Sequence, residues 1–456
     1  MFISAGMSRP KKRDTVLSRK QQYLNYGALT LASILRFKGY SVELLHGAHT
    51  EPKDFVDKLQ IDGGLSSKYP LLLSIPSFYA LSWSQKFTKE IKSRSPDTKI
   101  IVGGRWVVGS DVKWLREKLP LVDEIVPGMA EQEIEYLINN VDMSSLILPI
   151  SNRVSSFNLN HHLVKNYNNF QPSVEASRGC GMGCSFCEER DIPLTPLKSP
   201  ALLASHLQDV AKQYNDFSIR PYVQSSFFAP NTHWAEKLAA ETSKYKNRIL
   251  WRCETRVDTI KPNVVAALAQ GGLKVIDLGL ESASPEQLLK MYKTSKPDKY
   301  LKSASDLISA CRDNGIWVKV NFLLYAGETA KTYEETIKWL DEHANSIKGI
   351  SVGPVVVFGS PKTSRQFVGD IKQLGASLVD ESSGDKGGIM QIHPSNEISA
   401  MDAETLSLEA SRRYMNKIDY FDLKSFSYYP RDYTYSDFEA DVELNGSCNL
   451  PFNVPA

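Results

Sequence analysis

Short apolar runs separated by helical patterns recur along most of the 456-residue chain, and they recur in two separate series. In the first series, residues 1–5, 41–45 (SVELL), 70–75 (PLLLSI), 99–102 (KIIV) and 123–126 (DEIV) read as strands. Helices are predicted at 26–37, 52–59, 82–93, 112–118 and from 131 onward. Such alternation predicts an α/β fold with an open, doubly wound parallel sheet over residues 1–140. Ligands of such a sheet bind beyond the carboxyl ends of its strands. Residues 141–171, rich in Asn, Ser and His, break the rhythm and read as a linker across the surface. The second series puts strands at 172–176, 220–224, 249–254, 275–280, 317–324 and 350–358, with helical stretches between them. Six βα units fit a partial (β/α)6 barrel over 172–384 better than a second open sheet. From 385 to 456 the pattern fades into an irregular, Tyr-rich tail, read as a small C-terminal subdomain.

Charge and cysteine usage narrow the function classes. The balance of 54 Lys+Arg against 52 Asp+Glu leaves a net charge of +2, which argues against a dedicated nucleic-acid binder. No apolar run reaches the length of about 18 residues that a membrane span needs. The first residues place their charges after a short apolar start, the reverse of a secretory signal, so a cytoplasmic protein is expected. Six cysteines in a chain of this length are too few for a disulfide scaffold. None precedes Cys180; then Cys180, Cys184 and Cys187 crowd one loop directly after a predicted strand.

Three thiolates spaced C-x3-C-x2-C can hold three irons of a cubane cluster and leave the fourth iron open. Gly179, Gly181 and Gly183 let the backbone wrap closely around it. Zinc is the plainer reading of clustered thiols, but a structural zinc site takes four ligands and no second cysteine pair follows. On the third barrel strand Arg252, Glu254 and Arg256 alternate, so they share one face, expected to be the cavity side. Cys253, between them, is expected to pack in the helix layer, as is Cys311, whereas Cys448 in the tail is expected to be exposed.

The cysteine spacing, with the aromatic Phe186 before the third thiol and a partial barrel around it, resembles the radical S-adenosylmethionine superfamily over residues 172–365. The resemblance implies a [4Fe-4S] cluster on Cys180, Cys184 and Cys187, with S-adenosylmethionine on the open iron. Reductive cleavage would give a 5′-deoxyadenosyl radical, and an external one-electron reductant such as flavodoxin or ferredoxin would drive it. Residues 277–282 (DLGLES) resemble the superfamily's G-x-E-S segment, which implies cofactor contacts from Gly279, Glu281 and Ser282. Arg256 with Asp258 resembles its R-x-D segment. Residues 325–329 (YAGET) and 357–361 (VFGSP) resemble its P-G-E-T and P-G-T-P segments in altered form. A further departure is the run Gln224-Ser225-Ser226-Phe227-Phe228, where many relatives carry acidic residues.

The first series resembles the cobalamin-binding branch of the same superfamily over residues 20–140. The echoes are 26–29 (YGAL), 39–44 (GYSVEL), 102–104 (VGG) and 123–128 (DEIVPG) with Glu131. The resemblance implies a cobalamin cradled at the strand ends, with Gly103 and Gly104 allowing close approach. Phe78 and Tyr79, with Ser77 and Trp83, are candidates for the lower corrin face. No D-x-H-x-x-G occurs, so no histidine is offered to the cobalt by that motif. A methylthiotransferase is excluded, since its second cluster needs cysteines before Cys180. The leading expectation is therefore cobalamin-dependent methylation of an unactivated carbon in a small-molecule substrate. The alternatives are radical dehydration, rearrangement or ring contraction with the first sheet as scaffold, and a silent iron–sulfur protein. Residues 420–435 are read with equal weight as a cover for the barrel mouth or as a surface-packed terminus.

Overall fold

The computed structural model describes residues 1–7, 15–20, 22–139, 157–360, 362–445 and 450–453. Cys448 and Pro361 lie outside the described residues, as do residues 141–156 of the expected linker.

The first sheet contains β1 (Phe2–Ser4), β2 (Leu44–His46), β3 (Leu71–Ser74), β4 (Ile100–Gly103) and β5 (Glu124–Ile125). All pairings are parallel and the order is β2-β1-β3-β4-β5, so the winding direction reverses between β1 and β3. Helices cover both faces. Ile3, Leu73, Val102, Trp83 and Phe87 pack one core, while Phe2, Leu72, Ile101, Leu29 and Leu137 pack the other. The helix Tyr26–Phe37 starts where the Asn25 side chain accepts the Ala28 N–H, and the chain leaves it at Gly39 with φ +93°.

The second sheet runs β6 (Ser173–Glu175), β7 (Tyr222–Gln224), β8 (Trp251–Arg256), β9 (Leu273–Glu281), β10 (Trp317–Leu324) and β11 (Gly349–Pro354). Its order follows the sequence and every pairing is parallel, which makes the expected six-stranded partial barrel. Alternate residues separate cleanly. Trp251, Cys253, Ile276, Leu278, Val318 and Val320 are buried against the helix layer, and the intervening residues face the lumen.

Three expectations need correction. The run 350–358 is two strands: β11 stays in the barrel, and after Val355 the chain leaves it as β12 (Val356–Phe358). That strand joins β13 (Ser377–Leu378) and β14 (Ile389–His393) in a small antiparallel sheet, order β12-β14-β13. Secondly, the described part of the linker, 157–171, is half sunk into the molecule, with Phe157, His162, Lys165, Asn166, Asn168 and Asn169 left exposed. Leu159, Leu163, Val164 and Phe170 join the core of the first domain, and His161, fully buried, accepts the Ser173 N–H at 3.1 Å. His161 and Asn158 satisfy backbone groups while Asn166, Asn168 and Asn169 stay at the surface, which is why composition read as a surface loop.

Thirdly, the region after 385 is mostly helical. The helix Ala400–Tyr414 buries Ala403 and Ala410 in the barrel core, and Tyr414 donates to the Ile337 carbonyl at 3.0 Å. The Tyr-rich segment closes the end of the barrel opposite to the expected mouth. Leu423, Phe426 and Tyr429 cluster with Val275 and Trp317 near the amino ends of β9 and β10.

Candidate active site

The cysteine loop leaves β6 at its carboxyl end and is folded back on itself by backbone hydrogen bonds. Cys180 N–H donates to the Ile192 carbonyl at 3.0 Å, and Gly183 N–H to that of Arg190 at 3.2 Å. At Gly179, φ is +73° and a Cβ would stand 2.2 Å from the Pro193 carbonyl oxygen, so only glycine fits. Phe186 packs edge-on to Tyr325 at 6.2 Å, under the Lys293 ammonium at 5.8 Å. Ser185 ties the loop to Met291 and Tyr325.

All three thiols are free; Cys184 is buried, and Cys180 and Cys187 are partly exposed. Two of them receive hydrogen bonds. Arg256 Nη1 donates to Cys184 Sγ at 3.2 Å, and Glu189 N–H donates to Cys187 Sγ at 3.3 Å. Burial pushes the Cys187 thiol up to about 11 and also raises Cys180, so coordination to a cation is what would hold these sulfurs as thiolates. Among the described residues, no three His, Cys, Asp or Glu side chains converge to grip a single ion. Three cysteines on one loop, with donors already aimed at two sulfurs, instead fit a polynuclear cluster in which each sulfur takes its own iron.

Arg256 is the hub beside the loop. Its Nε and Nη2 chelate Asp258 at 2.9 and 3.0 Å, and Nη2 also donates to the Lys293 carbonyl at 2.6 Å. Lys293 in turn pairs with Glu281 at 3.2 Å. Gly279 and Glu281 lie on the lumen face of β9, and Glu281 holds φ +65° at the strand end, which turns its carboxylate towards the cysteine loop's side of the barrel. Ser282 does not offer a free hydroxyl. It is fully buried, paired with Thr336 at 3.1 Å, and accepts the Ser284 N–H, so its place is in the strand–helix packing.

A cavity of about 350 Å³ opens between the two sheets' carboxyl ends. Gly103, Gly104, Asn25 and Met129 line it from the first domain; Ser177, Arg178, Gly179 and Ser226 line it from the barrel. Its deep part is an apolar slot bounded by Phe2, Leu72, Ile101, Ile134 and Leu137, beside the reversal in strand order. Gly104 is required there: with φ +107°, a Cβ would sit 2.6 Å from the Ile75 nitrogen. Phe78 and Tyr79 are not among the lining residues. Their rings pack on each other at 3.8 Å, and Phe78 lies 5.7 Å from Phe358 of the small sheet. Trp83 is also drawn away; it is fully buried and donates to the Thr50 carbonyl.

Several site residues escape sequence reading. Asn25 Nδ2 donates to Ser4 at 3.1 Å and to Ser74 at 2.9 Å, fixing the ends of β1 and β3 at the cavity. Arg178 joins the two domains by pairing with Glu175 at 2.6 Å and with Glu131. Arg105 reaches Glu189 in the cysteine loop at 3.2 Å. An Asn before a helix was a readable capping signal, but the Arg178–Glu131 and Arg105–Glu189 pairs link residues 47 or more apart and leave no local trace.

In the barrel lumen, Arg252 makes two hydrogen bonds to Asp277 at 2.6 and 2.7 Å, and Lys319 adds a third contact at 3.3 Å. Cys253 and Cys311 are buried in the helix layer, as expected.

Comparison with known proteins matches residues 174–340 to the radical SAM superfamily. An uncharacterized methyltransferase of Pyrococcus horikoshii is 26% identical over 175 residues, which are 36% of this chain and 36% of that protein. The cobalamin-dependent S-adenosylmethionine radical enzyme OxsB, solved with aqua-cobalamin and S-adenosylmethionine, superposes with a TM-score of 0.65 at 15% identity. That match covers 90% of this chain and 65% of OxsB. The radical S-adenosylmethionine methyltransferase TsrM from Kitasatospora setae, solved with cobalamin and a [4Fe-4S] cluster, gives a TM-score of 0.62 at 16% identity, covering 83% and 77%. At these identities the two structures share the fold. The chain thus spans about a third of the curated relative's length and at most about two thirds of OxsB's. Among the described residues, no helix is long and apolar enough to cross a membrane.

Proposed function

We propose that this chain, a radical S-adenosylmethionine protein through residues 174–340, is a cobalamin-dependent enzyme that methylates an unactivated carbon of a small molecule. The observation that carries the reading is the single cavity bounded by Gly103 and Gly104 on one side and by Ser177–Gly179, the root of the cysteine loop, on the other. A group held at the strand ends of the first sheet would border the cluster loop directly. The apolar slot at the strand-order reversal suits a flat heteroaromatic base, and Asn25 and Arg178 border its polar rim.

When bound, the [4Fe-4S] cluster and S-adenosylmethionine supply one-electron cleavage to a carbon radical, and cobalamin supplies the methyl group. The chain's own residues orient and shield. Cys180, Cys184 and Cys187 are the cluster ligands in this reading, with Arg256 and the Glu189 amide donating to their sulfurs. Glu281, set by Lys293, accepts hydrogen bonds from the hydroxyl and amino groups of S-adenosylmethionine. An electron is supplied from outside by a flavodoxin- or ferredoxin-like donor.

The test is a titration of anaerobically reconstituted protein with hydroxocobalamin, followed by desalting and a visible spectrum. One corrinoid retained per chain is expected. None retained beside an intact cluster would overturn the cobalamin reading and leave radical chemistry without methyl transfer. For the second cofactor, Glu281→Gln is expected to weaken S-adenosylmethionine binding about tenfold, the loss of one charge-assisted hydrogen bond, with iron content unchanged. Equilibrium dialysis with labelled cofactor reads this directly, and unchanged affinity would remove Glu281 from the site.

A further inference from the structure

The lumen face of β8 carries three charged residues that the fold treats differently. Arg252 is engaged with Asp277 and with the Leu423 carbonyl, and Arg256 with Asp258, the Lys293 carbonyl and Cys184. Glu254, between them, is open to the lumen while its neighbours Cys253 and Thr255 are sealed in the helix layer. Its Oε2 accepts the Tyr222 hydroxyl at 3.2 Å, and among the described residues no cation lies within ion-pairing distance of it. The groups that face it are Tyr222 from β7, Asp277 from β9, Lys319 from β10, Arg252 from its own strand, and Tyr26 and Tyr428 from the flanking segments. Lys319 is turned to Asp277 and to Asn321, at 3.3 and 3.1 Å. The protein crowded around the lumen, reinforced by the Asp277 charge, pushes the Glu254 carboxyl up to about 7. The lumen therefore presents a carboxylate with one oxygen open and, among the described residues, no cation paired with it.

We propose that Glu254 anchors a basic nitrogen of the substrate, so that the small molecule acted on is an amine. It would enter with its cationic end towards the Tyr428 floor and its reacting carbon towards the cysteine loop. The geometry suits this. Glu254 lies two residues below Arg256 on the same strand face, about 7 Å, and Arg256 touches Cys184. The inference rests on the reading that the lumen is where substrate meets the radical chemistry.

The experiment uses the full chain with its cluster reconstituted and S-adenosylmethionine present, at pH 8, titrated calorimetrically with phenethylamine and with its neutral isostere 2-phenylethanol. Phenethylamine is expected to bind about tenfold more tightly. Glu254→Gln is expected to bring the pair within about twofold, and Glu254→Asp, which keeps the charge on a shorter arm, to retain part of the preference. Equal behaviour of the two probes in the wild type, including no binding of either, would overturn the proposal. So would a preference that survives in Glu254→Gln. Cleavage of S-adenosylmethionine by the wild type without either probe is read separately. Its absence would sink the radical reading while leaving the amine preference standing.

Discussion

Cys184→Ala is expected to strip the chain of its iron and to reduce S-adenosylmethionine cleavage to background. Cys184 is the buried member of the three thiols and the one that receives the Arg256 guanidinium. Removing it leaves two sulfurs for a cluster that needs three, and two thiolates cannot fix a cubane on a half-exposed loop. The fold should survive, because Arg256 keeps its contacts to Asp258 and to the Lys293 carbonyl. The comparison that makes the result specific is Cys253→Ala and Cys311→Ala. Both thiols lie in the hydrophobic helix layer, 0% and 1% exposed, so both variants should keep their iron. The readouts are iron and sulfide content, about four of each per chain in the wild type, the visible charge-transfer band, and 5′-deoxyadenosine formed under reductant. A Cys184→Ala protein that kept its iron and cleaved the cofactor would remove the loop from the chemistry.

The parts of this architecture legible in sequence are those written locally. The apolar runs of β3 and β4 are buried on both sides and so stand out as unbroken. The helix Tyr26–Phe37 carries its own cap and its own stop, and it lies where the pattern predicts. The strand Trp317–Leu324 alternates between core and lumen over eight residues, which fixes both its length and its facing. The cysteine loop is legible because three ligands must come from one short segment.

What escaped the sequence was decided by distant partners. Residues 350–358 form one apolar run, and only the small sheet's claim on Val356–Phe358 divides it. The Asn- and His-rich seam reads as a loop until His161 is seen to serve the backbone of β6. Phe78 and Tyr79 sit at a strand end where a ligand belongs, yet the neighbouring Phe358 gives their rings a protein partner. Tyr428 illustrates the same point from the tail: its ring lies 4.9 Å from the guanidinium of Arg252, 176 residues earlier in the chain. The tail's aromatic content was visible, whereas the end of the barrel that it closes was not.

That contact belongs to the interaction with the largest expected effect on stability. Arg252 is 2% exposed and holds Asp277 through two hydrogen bonds, the Leu423 carbonyl through a third, and the Tyr428 ring through its face. Arg252→Met keeps the volume and leaves the buried Asp277 carboxylate with Lys319 as its one remaining cation among the described residues, which is expected to cost about 3 kcal/mol and to lower the unfolding midpoint by several degrees. Arg252→Lys keeps the charge but loses the two-pronged geometry, and should fall between the two. The acid limb gives an independent reading. Burial alone would raise the Asp277 carboxyl, but the Arg252 and Lys319 cations prevail and hold it at about 2. Its contribution to stability is therefore fully present above the ordinary carboxylate value and is lost as pH falls through about 2. In Arg252→Met the carboxyl rises, so protonation relieves its buried charge sooner, and the stability gap between the two proteins should be full near neutral pH and narrow as pH falls below about 4 in an acid-unfolding series. A gap that stayed constant with pH would mean that Asp277 owes its charge to Lys319 alone, and the barrel floor would then be held by packing of the Tyr-rich tail and not by this ion pair.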